Sequence, residues 1–124
     1  MRLLYAIIIG MAVLAGGCAS TKAPIGVDPT ASKPVQTAQA AITEGFLLIA
    51  AAGDQIAQQK ADGIITAAER DVKVGELRMH FATLKDAQKL LADGKEALAT
   101  NRAAIVRTLV TAMQRELAKK ARTQ

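Results

Sequence analysis

The sequence is that of an all-α protein, a three-helix antiparallel up-down-up bundle behind a flexible tether. Apolar residues recur in steps of three and four along three stretches between residues 35 and 120, the spacing of one helical face. Asp62-Gly63 and Asp93-Gly94 separate those stretches, and glycine just past a periodic run is a helix stop. Alanine is abundant and β-branched runs are few, which favours helix over strand.

The first helix is expected to begin near Ser32 or Pro34, because proline is tolerated in a first turn. Val35, Ile42, Ile49 and Ile56 fall seven apart, with Ala38, Gly45 and Ala52 between them. That is a heptad with β-branched residues at one core position and small ones at the other, so a second helix can approach closely. The run Phe46 to Ala52 is apolar around its whole circumference and should be covered on more than one side. Only nine uncharged residues separate Glu44 from Asp54, short of the roughly 20 that span a bilayer.

Thr66-Ala67-Ala68-Glu69 reads as a capping box opening the second helix, with Thr66 capping the first turn and Glu69 reaching back. That helix should run from about Ala67 to Asp93, with Val74, Leu77, Phe81, Leu84, Gln88 and Leu91 as its core stripe. Gly75, on a neighbouring face, is expected to mark a close contact. The third helix is expected to open at Asp93, with Glu96 three residues on, and to continue to about Lys120. Leu98, Ile105, Leu109 and Ala112 should line its core face, widened by Val106, Val110, Met113 and Leu117. Lys119, Lys120 and Arg122 suit its C-terminus, where cations meet the negative end of the dipole. Such a coiled-coil-like core of alanine and small aliphatics is thin, so self-association into a homo-oligomer, or packing on a partner, would bury more.

Ahead of the helices, Arg2 supplies a positive n-region, Leu3 to Leu14 an apolar h-region of 12 residues, and Ala15, Gly16 and Gly17 small residues before the only cysteine, Cys18. That is the grammar of a secretory signal peptide. Leu14-Ala15-Gly16-Gly17-Cys18 resembles the lipobox of bacterial lipoproteins, although Ala15 stands where Leu, Val or Ile is usual. The resemblance covers only the first 20 or so residues. It implies cleavage after residue 17 and lipidation of Cys18, with a diacylglycerol on sulfur and an amide-linked acyl chain such as palmitate. It also implies the outer membrane, since Ala19 and Ser20, not an acidic residue, follow the cysteine; the body would face the periplasm. Two other readings stay open: an ordinary signal peptide cut after Ala19, and an uncleaved helix, for which 12 apolar residues are short. Residues 18–34, with three prolines among Ser, Thr, Lys and Gly, read as a tether, and residues 35–124 as the bundle.

Composition narrows the function classes. With Cys18 lipidated no thiol remains for a disulfide or a cysteine metal site. Phe46 and Phe81 are the only aromatics after Tyr5, too few for a stacking platform, and nucleic acid is not an expected partner. The net charge of +5 is uneven: residues 35–100 hold seven Lys or Arg against nine Asp or Glu, whereas residues 101–124 hold six against Glu116 alone. The six, Arg102, Arg107, Arg115, Lys119, Lys120 and Arg122, form the candidate contact for an anionic envelope partner, whether lipid headgroups, lipopolysaccharide phosphates, wall carboxylates or an acidic protein. Their other reading is a solvated face.

Catalytic candidates are thin. Asp62 to Glu69 copies the second half of a calcium loop, but Gln58 and Lys60 stand where carboxylates are needed. His80 is the only histidine, with Glu76 a turn away and no cysteine companion, so neither general-base nor metal chemistry is assembled. No cofactor and no catalytic residue is expected. The expected function is therefore a non-enzymatic, membrane-anchored interaction or structural module with a basic C-terminal helix. The alternative is a small membrane-perturbing or surface-exclusion lipoprotein of a mobile element, with Phe46–Ala52 engaging lipid or a receptor.

Overall fold

The computed structural model describes residues 26–123, and the expected signal peptide, Cys18 and most of the tether lie outside the described residues. Three helices follow one another: α1 (Lys33–Ala61), α2 (Ala67–Ala92) and α3 (Glu96–Arg122). Each packs against both others, and no strand occurs among the described residues. The side-chain register fixes the topology. Lys73 meets Glu116 and Glu69 meets Lys120, so α2 and α3 run antiparallel. Glu44 meets Arg107 and Gln59 reaches Leu117, so α1 and α3 run parallel, which is the up-down-up order.

The helix boundaries come from local chemistry. Ser32 is the N-cap of α1, with proline in the first turn. α1 stops at Asp62-Gly63: the Gly63 N–H donates to Lys60 O and the Ile64 N–H to Gln59 O, with Gly63 at φ 74°. That pairing is a Schellman motif, which satisfies two orphan carbonyls and needs a left-handed residue. α2 stops the same way, with Gly94 donating to Leu91 O and Lys95 to Leu90 O. Thr66 and Glu69 form the expected capping box in both directions. Asp93 does not open α3; it is the C-cap of α2, and Lys95 stands at the N-cap of α3 with no side-chain cap bond. In a connection this short the backbone of Lys95 serves both helices: its N–H closes α2 on Leu90 O, and its carbonyl accepts from the Ala99 N–H at the start of α3.

The core is one cluster. α1 contributes Ala38, Ile42, Ile49, Ala52 and Ile56; α2 contributes Leu77, Leu84 and Ala87; α3 contributes Ala99, Ala103, Val106, Val110, Met113 and Leu117. The α1 heptad is thus inside, with Val35 half-buried at its start. Gly45 is a close approach between α1 and α2: a Cβ there would lie 2.9 Å from both Leu84 methyls, so the missing side chain is what lets α2 in. Phe46 and Phe81 pack edge to face across α1 and α2 at 5.2 Å, a favoured aromatic geometry. Within Phe46–Ala52, Ile49, Ala50 and Ala52 are buried while Leu47 and Ala51 face solvent, so the segment is covered on most sides but not all.

Three packing expectations change. On α3, Val106, Val110, Met113 and Leu117 are buried as expected, but Leu98, Ile105, Leu109 and Ala112 are exposed, and it is Ala99 and Ala103 that complete the core stripe. Both stripes step by four and three, offset by one residue, so spacing alone does not choose between them. On α2, Ala87 is buried and Gln88 exposed, since the amide needs water or a partner. Nothing lies within 4 Å of a Cβ built on Gly75, so that glycine marks no contact.

The last part of the expected tether is not free of the bundle. Val27 is buried, and the Asp28 N–H donates to Gln39 Oε1 at 2.8 Å. Asp28 Oδ1 accepts from both the N–H and the hydroxyl of Thr30, and the Gln36 amide donates to Pro29 O and Ala31 O. These bonds to Thr30 hold the Asp28 carboxyl below its usual range. Residues 26–32 thus fold back along α1 and fix where the chain enters the first helix.

Candidate interaction surface

α3 carries the six basic residues named from the sequence, and the fold divides them. Arg107 turns toward α1, its Nε 3.4 Å from Glu44 Oε1. Lys120 turns toward α2 and pairs with Glu69. Both are committed to inter-helix pairs that help set the register. Arg102, Arg115, Lys119 and Arg122 are exposed and enter no ion pair among the described residues. Arg115, Lys119 and Arg122 fall four and three apart in the last turns, so they share one outward side of α3. Arg102 sits apart, more than three turns earlier. The candidate anionic contact is accordingly a compact trio at the C-terminal end, not a six-residue strip.

Glu69 joins two helix ends. Its Oε1 accepts from the Thr66 N–H and its Oε2 from Lys120 Nζ. The lysine first, then the backbone bond, hold its pKa below the ordinary value. Asp62, the other acid of the calcium-like stretch, accepts from Gln58 Nε2 at 3.0 Å while closing α1. Both acids are helix-terminus groups here. His80 is half-buried on α2, and no cluster of three His, Cys, Asp or Glu side chains occurs among the described residues. A shallow cleft opens beside the start of α3, lined by Pro34, Thr37, Lys95, Glu96, Leu98 and Thr100 among others.

Two glutamines were not singled out from the sequence. Gln59 is buried and donates through Nε2 to Leu117 O at 2.8 Å, leaving its buried Oε1 without a partner. Gln55 donates to Gln114 O at 3.2 Å. Together they lace the end of α1 to α3. The signal was present: Ala38, Gly45 and Ala52 extend by seven to Gln59, which puts an amide on a core position. Polar groups there specify register at some expense of stability.

Among the described residues the exposed large apolar side chains are Leu47 on α1, Val72 and Met79 on α2, and Leu98, Ile105 and Leu109 on α3. α1 is the one described helix long and apolar enough to cross a membrane by length and composition, with 39% of its most apolar window buried in the bundle. No protein-family model, curated protein or solved structure matches the chain.

Proposed function

We propose that the chain is a membrane-anchored bacterial lipoprotein whose three-helix body is a non-enzymatic interaction module. The observation that carries this reading is Leu14-Ala15-Gly16-Gly17-Cys18 behind a charged and then apolar leader, holding the only cysteine. Cleavage before Cys18 makes it the N-terminus and the site of a diacylglycerol and an amide-linked acyl chain. Several acyl chains hold a protein to a bilayer where one does so only marginally. Ala19 and Ser20 direct it to the outer membrane with the bundle in the periplasm. The span from Ala19 to Ser32 separates the anchor from α1. Exposed Arg115, Lys119 and Arg122 then form a contact for an anionic envelope component. Their side chains stand clear of the core, and the negative end of the α3 dipole holds them at low cost.

Replacing Cys18 by Ser tests the anchor. The variant should leave the membrane fraction for the soluble periplasm and lose label from a metabolically supplied fatty acid; unchanged fractionation and labelling would sink the reading. The basic contact is tested separately by Arg115→Gln, Lys119→Gln and Arg122→Gln together in the anchored chain. Lys120 is left intact because it pairs with Glu69.

A second reading, a membrane-perturbing accessory lipoprotein, is favoured by the apolar length of α1 and by exposed Leu47. Phe46 is already spent on Phe81, so Leu47→Glu is the cleaner variant. Dye leakage from vesicles caused by the chain and abolished by Leu47→Glu would move the function to this class.

A further inference from the structure

Among the described residues, five of the six exposed large apolar side chains lie along one side of the bundle. On α2, Phe81 faces α1 and Lys73 and Glu69 face α3; Val72 and Met79 lie beyond the α3-facing edge. On α3, Arg107 faces α1 and Glu116 and Lys120 face α2; Leu98, Ile105 and Leu109 lie along the α2-facing edge. The two sets therefore meet on the outer face of the α2/α3 pair. They are 61% and 69% exposed on α2, and 50%, 49% and 47% on α3.

Each set belongs to a second heptad stripe. On α2 it reads Val72, Glu76, Met79, Thr83, Asp86, Leu90, and on α3 Leu98, Arg102, Ile105, Leu109, Ala112, Glu116, both in steps of four and three. The Lys73–Glu116 and Glu69–Lys120 pairs fix how the helices slide past each other. That register puts Leu90 level with Leu98, Asp86 with Arg102, Thr83 with Ile105 and Met79 with Leu109. We infer that a second copy of this chain docks here, about a two-fold axis running along the bundle. Each α2 then lies against the partner's α3, antiparallel and in the register it already keeps with its own.

Three properties favour a second copy. A period of 3.5 keeps a stripe facing another helix along its length, where a lipid surface asks only for a broad apolar side. The two-fold sets Asp86 against the partner's Arg102, and neither is in an ion pair among the described residues. Glu76, Asp86 and Glu116 inside the stripe oppose insertion into a bilayer. With 26 residues in α2, the face is about 39 Å by 20 Å, about 800 Å² a side, the size of a stable protein interface. The inference holds whether or not the chain is anchored.

Sedimentation equilibrium of the full chain, purified in density-matched non-ionic detergent, reads it directly. The chain should sediment as a dimer, Leu109→Glu and Met79→Glu should each give a monomer with unchanged helical circular dichroism, and Leu47→Glu should stay dimeric. Asp86→Arg or Arg102→Asp should raise the dissociation constant about tenfold or more, since like charges then face each other, and the double exchange should restore it. A monomer at every concentration reached overturns the proposal, as does a monomer that instead binds anionic vesicles. So does a dimer that survives both Leu109→Glu and Met79→Glu.

Discussion

The two apolar stripes of α3 differ by one residue in register and entirely in fate. Ala99, Ala103, Val106, Val110, Met113 and Leu117 are buried, while Leu98, Ile105, Leu109 and Ala112 face outward. The outer stripe has the larger side chains, so size did not decide the matter. Continuity did: the inner stripe carries no charge from residue 99 to 117, whereas Arg102 and Glu116 interrupt the outer one. A buried charge without a partner is expensive, so a bundle turns in the stripe that has none, even at the expense of leaving leucines out. Small residues then gain a use, because Ala99 and Ala103 let α3 close on the rest of the core.

Truncation on the two faces should give effects of very different size. Leu84 is 0% exposed and packs into Gly45, so Leu84→Ala leaves a cavity and should lower the unfolding free energy by about 2–5 kcal/mol. Leu109→Ala, on the outer stripe, should change the stability of the single chain by less than about 0.5 kcal/mol. Urea denaturation read by circular dichroism, at a concentration below dimer formation, separates them. A loss at Leu109 as large as that at Leu84 would mean that the outer stripe of α3 is buried in the single chain.

Glycine sharpens the same contrast. Gly45 has no room for a methyl group, whose carbon would press on Leu84, itself fully enclosed. Gly45→Ala should therefore destabilise by about 1–3 kcal/mol through overpacking. Gly75 lies in the middle of α2 with open space around it, so Gly75→Ala should stabilise by about 0.5–1 kcal/mol through helix propensity and a less mobile unfolded chain. The same substitution is expected to move the melting temperature in opposite directions. Two losses would show that Gly75 has a packing role after all.

Much of the fold was legible because its signals are local and carry one meaning each. The Asp-Gly stops, the Thr66/Glu69 box and the heptad of α1 are settled within a few residues and appear where the sequence placed them. The α3 face and Gln88 against Ala87 are choices between adjacent positions that spacing alone does not settle: an uncharged run decides the first and the amide's need for water or a partner the second. The cap at Asp93 differs because the connection between α2 and α3 is so short that this residue closes the earlier helix. The basic set illustrates the limit at the candidate site: six cations in one helix look alike in sequence, yet Glu44 and Glu69, more than 50 residues upstream, withdraw Arg107 and Lys120 from it. Gln59 was within reach by extending the small-residue heptad one step, and was hidden only by being polar.

The smallest effect expected concerns the margin between the two faces, where Glu69 and Lys120 tie the start of α2 to the end of α3. The Lys120 hydrogen bond, then the Thr66 N–H, hold the Glu69 carboxyl below its ordinary value of 4.5. A carboxylate whose folded pKa is depressed adds stability that is complete above the unfolded value and fades as pH falls through the folded one. Thermal melts of the wild type and of Lys120→Met, which keeps the aliphatic stem but not the charge, should differ modestly at neutral pH, because both groups are partly solvated. That gap should shrink as the pH drops below 4.5 and vanish once Glu69 is protonated in both states. If it persists undiminished in acid, Lys120 acts through the packing of its stem and the ion pair contributes nothing. The margin would then be an extension of the buried face and not an electrostatic seam between the two.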